Sequence, residues 1–421
     1  MKLRALLSIL VVLTFVFSAS AEEIFVSSGG DLRQIAGNAN SGDVIVLESG
    51  GIYQVDDIPN EASAIGFSDM SITIKAADGA ATRPQVTLNG FDLSGVNGSF
   101  TLQGIDFISN GGTYFINFTA EFTLATSVQV LDCNVSGFSR CAIRANRAAA
   151  VCDSLVFDNC VFSGADGGYR FFHFEDKLSF TYFIFTNSTV NGFSEAFLWA
   201  TSLSEKYVTI ENCTFNNLVD PKDNFIQLDG DGGTCTLRNC LLTNFADCTV
   251  FNIWDAFVDS IQSCRYSNVG DTFNGWNYED DFGEEDPDYA DPDNGDFSLP
   301  ADSYLNTAGV GGKPIGDPRW ATMPASVEQN QSAAADFSLG QNYPNPFNPV
   351  TSIAFNLANA EHVTITVYNS LGQLVTTLVD QNYQQGVHRV TFDAHNLDSG
   401  LYFYKIQAGD FVEAKKMALV K

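Results

Sequence analysis

Four residues able to hold charge or a sugar recur at nearly constant distance in the middle of the chain. Arg144, His173, Trp199 and Gln227 are separated by 29, 26 and 28 residues. Arg and His pair with carboxylates or sulfates, and Trp offers a flat face to a sugar ring. These four are the candidate substrate contacts. Arg140, Arg144, Arg147, Arg170 and Lys177 place five of the chain's 21 basic residues within one short stretch, against 50 acidic residues and a formal net charge of −29 overall. A basic cluster on that background points to an anionic ligand. Proton removal beside a uronate carboxylate needs a base and a cation to neutralise the carboxylate. Lys177, Arg144 and Arg170 are the candidate catalytic residues for such a β-elimination. Asp291, Asp293 and Asp296, in the run Asp291-Pro292-Asp293-Asn294-Gly295-Asp296, are spaced as in a Ca²⁺ loop, so Ca²⁺ is the one cofactor the sequence suggests. Nucleotide loops, H-E-x-x-H and G-x-S-x-G are absent. The bland alternative is that the Arg-His-Trp-Gln series faces inward and is core, which a one-residue error in alternation would produce.

What must position these residues is a repeat. The phrase Val208-Thr209-Ile210-Glu211-Asn212-Cys213-Thr214-Phe215 returns at 155–162, 183–190 and 235–242, with looser copies centred on Ile105, Cys133 and Cys264. Aligned, the copies put Ile105, Cys133, Cys160, Ser188, Cys213, Cys240 and Cys264 at one position, at intervals of 28, 27, 28, 25, 27 and 24 residues. Only strand-like alternation lies inside this period, which excludes the helical repeats. A parallel β-helix fits, each repeat being one coil. Positions −5, −3, 0 and +2 then face the interior. Asn159, Asn187, Asn212 and Asn239 precede the ladder residue, where a sharp bend needs a left-handed conformation that Asn tolerates. The Cys ladder reads as an inward stack of structural thiols, although nine Cys in an exported chain also permit disulfides.

Both ends carry addresses. Lys2 and Arg4, the apolar run from Leu6 to Phe17 and Ala19-Ser20-Ala21 have the form of a secretory signal peptide over 1–21. No later segment reaches transmembrane length. The acidic balance excludes nucleic acid as a partner. Residues 321–335 are rich in Ala, Ser and Gln and read as a linker. From 336 to 421, short alternating segments lie between Gly, Pro and Asn turns, and about seven of them predict a small Ig-like β-sandwich.

Several of these features carry family resemblances. The Asn series resembles the asparagine ladder of pectate-lyase-like right-handed parallel β-helices, and residues 22–320 are assigned to that fold. Gly42-Asp43-Val44-Ile45-Val46-Leu47 through Tyr53 resembles the opening coil of secreted β-helix proteins related to alginate and chondroitin lyases, with Asp31 to Ala39 as a capping helix. Asp286-Pro287-Asp288-Tyr289 to Leu299 and Gly316-Asp317-Pro318-Arg319-Trp320 resemble their closing segment. Family 6 polysaccharide lyases of this fold use Lys and Arg with Ca²⁺-binding acids. Lys177 precedes a coil phrase as the lyase Lys does, but the paired acids before it and the Asn-Lys-Ser context are missing. Asn342-Tyr343-Pro344-Asn345-Pro346-Phe347-Asn348-Pro349, Leu371-Gly372-Gln373, Leu397-Asp398-Ser399-Gly400-Leu401-Tyr402 and Lys415-Lys416-Met417 resemble the type A sorting domain of type IX secretion. That resemblance implies two partners, the type IX machinery and its sorting peptidase, and a location outside the cell or on the outer-membrane surface. The expected whole is an all-β exported protein that engages polysaccharide, with lyase action as one reading and a non-catalytic structural or adhesive role as the alternative.

Overall fold

One residue per coil in the left-handed region turns the chain through its sharpest corner, and that residue sets the architecture. In the computed structural model, which describes residues 21–55, 64–68, 70–94, 96–119, 124–145, 150–165, 170–202, 204–219, 224–245, 251–253, 257–269, 282–310, 312–322 and most of 337–419, Asn159, Asn187, Asn212 and Asn239 have φ of 57°, 49°, 56° and 51°. Asp132 and Ser263 take the same corner at 53° and 51°. The expected signal peptide and most of the expected linker lie outside the described residues.

The chain divides at Met323/Pro324 into two units. The first is a parallel β-helix with three long sheets, called here faces A, B and C. Among the described residues, faces A and B have ten strands each and face C has eight. The chain visits A, B and C in turn and then returns to A one coil further on. A representative coil runs through Ala150–Asp158 on A, Val161–Ala165 on B and Phe172–Glu175 on C, then Leu178–Thr186 on A again. Every strand pair described within these three faces is parallel, and the register places Asn134 beside Val161, Val161 beside Thr189, and Thr189 beside Thr214.

That register puts the aligned Cys positions side by side. Val208, Ile210, Cys213 and Phe215, the four positions expected inside, are all 0% exposed. Each ladder thiol turns its Sγ toward the carbonyl two residues back, Cys133 to Leu131 at 3.2 Å and Cys213 to Glu211 at 3.1 Å. Ser188 makes the same bond with its hydroxyl, to Thr186 at 2.6 Å. From Cys133 to Cys264 the position holds a small side chain with one donor, whereas Ile105 fills its rung with an apolar side chain alone. The seven Cys described (133, 152, 160, 213, 235, 240 and 264) are free and buried, as expected of structural thiols. Burial pushes the Cys133 and Cys152 thiols up to about 12 and those of Cys160, Cys240 and Cys264 well above the ordinary range.

The corner asparagines bond from coil to coil. Asn239 Nδ2 donates to Asn212 Oδ1 at 2.9 Å, and Asn212 Nδ2 donates to Asn187 Oδ1 at 3.0 Å. The chain of bonds then shifts to aspartates: Asn187 Nδ2 reaches Asp158 at 2.7 Å and Asn159 Nδ2 reaches Asp132 at 2.6 Å. A second left-handed position, at or near the end of the face B strands, falls on Gly137, Gly164, Gly192, Asn217 and Asn244. The interior between the faces is dense with rings. Phe157, Phe172, Phe185, Phe197 and Phe215 pack edge-on or tilted with centroids 4.7–5.9 Å apart, and each buried Phe contributes about 1.5–3 kcal/mol of transfer free energy.

The first coil is capped by the helix Leu32–Asn38. Asp31 caps its start by accepting from the Gln34 amide at 2.9 Å, and Leu32 and Ala36 face the core. Asp43 accepts from the amides of Asn40 and Glu22, which hold its carboxyl below the usual range. Tyr53 is fully buried and donates its hydroxyl to the Val26 carbonyl at 2.6 Å. The closing segment lies along face B. Gly316 and Val310 bond Asn239, the Asp317 amide donates to Thr214, and Trp320 Nε1 donates to Thr189 at 2.7 Å. Arg319 reaches Asn159 Oδ1 and the Asn187 carbonyl, at the place where the asparagine ladder shifts to aspartate.

Among its described residues, the second unit has seven strands in sheets of three and four. The longer ones are Val350–Leu357, Glu361–Asn369, Leu374–Tyr383, Gly386–Asp393, Gly400–Ala408 and Phe411–Leu419. They enclose one core that includes Ile353, Phe355, Ile365, Tyr404, Ile406 and Met417, consistent with the expected sandwich. Tyr404 donates its hydroxyl to Gly340 and accepts from the Asn342 amide, both at 2.7 Å, which ties the Asn-Tyr-Pro entry segment to the core.

Candidate functional site

The strands of face C are short, three to five residues, and their alternation decides which side chains leave the core. Ile143, Phe172, Leu198 and Ile226 are 0% exposed. The residues that follow them point the other way. Arg144 pairs with His173, His173 with Trp199 and Trp199 with Gln227 on successive strands. The four residues picked from spacing thus form one outward row. The row continues to Asn117 and Asp92 on the side of Arg144. Asn117 Nδ2 donates to Asp92 at 3.2 Å, and burial pushes the Asp92 carboxyl up.

Neighbouring side chains cover part of this row. His173 and Gln227 are 5% and 6% exposed, whereas Arg144 and Trp199 are half-buried. The Arg170 guanidinium lies over the Trp199 ring at 4.0 Å, with its Nη1 3.5 Å from His173 Nε2. Arg144 lies over the Tyr114 ring at 4.7 Å and donates to the Tyr114 hydroxyl. Gln227 is held from both sides, accepting from Asn224 and donating to Asp229, each at 2.7 Å. The accessible part of the row is therefore Arg144, Arg170 and Trp199, with His173 beneath them. Such a surface can hold an anion and face a sugar ring.

Lys177 is not on the row. The strand Phe172–Glu175 ends in a turn where the Lys177 amide donates to the Phe174 carbonyl at 2.8 Å, and the ammonium pairs with Asp176 at 2.5 Å. It stands at the corner between faces C and A. The acidic loop is also remote from the row in sequence and forms a turn of its own. Asp291 and Asp296 exchange backbone bonds around the 3₁₀ turn Pro292–Asn294, Asp291 accepts from Asn294 Nδ2 at 2.8 Å, and Asp296 accepts from the Ser298 amide at 3.0 Å. The Ser298 side chain, with that amide, lowers the Asp296 carboxyl. Among the described residues, no group of three or more His, Cys, Asp or Glu is arranged to hold a metal ion; Asp291 and Asp296 serve the turn.

Lys206 escaped the sequence reading. It shares the inward parity of Val208 and Ile210 and is 0% exposed. Its ammonium donates to the carbonyls of Ser202, Ser204 (2.9 Å) and Asp229 (2.8 Å), and burial lowers its pKa to about 8. It ties the corner after Trp199 to the corner after Gln227. A charge at an inward position of the repeat was the signal for it.

Residues 341–420 match a family described as a secretion system C-terminal sorting domain. The chain ends in a secretion sorting domain. This domain carries the protein to the cell surface or the extracellular space and implies contact with the type IX machinery. Among the described residues, no helix is long and apolar enough to cross a membrane. Residues 208–320 match a domain of unknown function, DUF5123. That match runs from a face A strand through the last coils to Trp320, so it takes in both the coils and the segment that closes over them. No curated protein matches the chain.

Proposed function

We propose that the exported β-helix engages an acidic polysaccharide along face C, with Arg144, Arg170, His173, Trp199 and Gln227 as its contacts. The observation that carries this reading is the stack of Arg170 on Trp199 beside His173, a cationic and aromatic surface on a chain of net charge −29. The sorting peptidase then removes the tail, which leaves the β-helix attached or released. Lyase action is a second reading, favoured by the closeness of an imidazole and a guanidinium. In it Lys177, as the neutral amine, takes the proton beside the uronate carboxylate, Arg144 and Arg170 hold that carboxylate, and the glycosidic oxygen leaves with a proton from solvent to give an unsaturated sugar.

The test is electrophoresis of the full chain through gels loaded with alginate, pectate or chondroitin sulfate, with and without Ca²⁺, alongside absorbance of unsaturated uronate. Retardation should weaken roughly ten- to a hundredfold in Arg144→Ala and Arg170→Ala, the scale of a lost charge-assisted bond. Absorbance that rises and disappears in Lys177→Ala would add catalysis. Free migration in all three gels would sink the proposal and favour a structural or adhesive surface protein.

A further inference from the structure

We infer that face A is a second binding surface, separate from the row on face C, and that its ligand is an extended, uncharged polysaccharide. The closing segment lies along face B, and corner residues stack over face C. Face A presents two outward positions per strand at mid-strand. Across six consecutive strands, from Val96–Gln103 to Gly233–Arg238, these positions hold Ser, Thr, Gln, Val, Ile and Tyr, and none of the twelve is charged. Charged residues make up 17% of the chain and belong on surfaces; Ser127 and Ile184 are covered, at 6% and 5% exposure, and the other ten positions are partly exposed without one charge among them. Charge returns at the next outward position, beside the corner to face B, with Asp158, Glu211 and Arg238.

At the centre of the face, Tyr182 and Tyr207 are register partners with rings stacked at 5.4 Å and 24°. The next residues in that row are small, Ser154 on one side and Thr234 on the other. Ile184 and Thr209 run beside the pair. Aromatic rings meet the C–H faces of sugars, and Ser and Thr hydroxyls donate to and accept from sugar hydroxyls. Coils repeat about every 4.8 Å, so a polymer laid along the helix axis meets the same kind of group at each step. An anionic polymer would set its charges against the carboxylates that border the face, Asp153 and Glu205 (which accepts from the Tyr207 hydroxyl) towards one end of the strands and Asp158 and Glu211 at the other. A second copy would bring two bodies of net charge −29 together against their repulsion. An uncharged polymer meets neither cost.

The test is affinity electrophoresis of the full chain in gels holding hydroxyethyl cellulose, xylan or galactomannan, at low and high salt. The expected result is retardation in at least one gel that survives high salt and is unchanged in Arg144→Ala. It should be roughly tenfold weaker in the double variant Tyr182→Ser, Tyr207→Ser, the scale of two aromatic contacts. Ser already stands in this row at Ser154, so the coil accepts it. Thr209→Lys, which puts a charge on the face, should weaken retardation as well. Free migration of folded protein in all three gels overturns the inference, as does retardation lost in salt or in Arg144→Ala but kept in the tyrosine variant. A dimer in sedimentation that Thr209→Lys dissociates, with no retardation by neutral polymer, assigns the face to a second copy and overturns it too.

Discussion

Replacing Asn212 tests the corner on which the fold depends. Asn212 has φ of 56° and is 8% exposed; its amide donates to Asn187, and its oxygen accepts from Asn239, which is fully buried. Asn212→Ala strands the Asn239 amide, at about 1–3 kcal/mol for a buried donor without a partner. Loss of the bond to the half-exposed Asn187 adds about 1 kcal/mol. A Cβ in the left-handed region without a polar side chain to offset it adds about 1 kcal/mol more. The total is about 3–5 kcal/mol. Asn212→Gly loses the same bonds without the left-handed strain, so it should fall about 1 kcal/mol short of the Ala variant. Urea unfolding of the full chain, followed by circular dichroism, should therefore order the midpoints as wild type, then Gly, then Ala. Equal midpoints for all three would refute the view that the corner asparagines hold the coils together. A Gly variant less stable than Ala would show that the left-handed strain had been overestimated.

Two further outcomes follow from buried titratable groups. Asp317 is 2% exposed, and burial raises its carboxyl to about 6. The folded state thus binds the proton more tightly than the unfolded one, whose carboxyl titrates near 3.9. The resulting stability is full below about pH 4 and is lost as pH rises through about 6, up to about 3 kcal/mol in all. Unfolding midpoints of the wild type should fall between about pH 4 and 6 relative to those of Asp317→Asn; parallel pH profiles would show that this carboxyl does not titrate on unfolding. For the thiols, seven of the nine Cys are buried and free, so a thiol reagent at pH 8 should label at most two per native chain and all nine in denaturant. Cys213→Ser should be nearly neutral because Ser188 already fills an equivalent rung, while Cys213→Leu should cost about 1–3 kcal/mol by overpacking.

The repeat was legible because one position per coil tolerates few residues. The Cys positions picked by alignment are in register in the structure, and so are Arg144, His173, Trp199 and Gln227. The second left-handed position was missed because it alternates between Gly and Asn. It lies four residues after each ladder residue, as Gly137 follows Cys133 and Asn244 follows Cys240. The burial of His173 and Gln227 was not legible, since it depends on what Arg170, Asn224 and Asp229 do at the corners. The grip of the closing segment depends on partners more than a hundred residues away, such as Thr189 with Asp317 and Asn159 with Arg319. Local pattern has no access to such pairs.

The invariant corner also links stability to the surfaces proposed as functional. Over six coils, from Gly104-Ile105 to Asn239-Cys240, the turn from A to B is two residues, the left-handed residue and the ladder residue, as in Asn159-Cys160 between Ala150–Asp158 and Val161–Ala165. The intervals between ladder residues vary from 24 to 28, and the corners on either side of face C absorb that variation. Each coil therefore restarts in phase at the A-to-B corner, and the strands flanking it on faces A and B keep their parity. Face C has no such lock. Its parity depends on two variable corners and is held by side chains such as Lys206, which bridges two coils at the C-to-A corner. The rows on face A can thus change residue by residue with little risk to the fold. The row on face C is exposed to slips in which Arg144 or Trp199 would trade places with core residues. An ammonium fully satisfied by three carbonyls beneath Trp199 and Gln227 is therefore best understood as the clamp that keeps that row facing out.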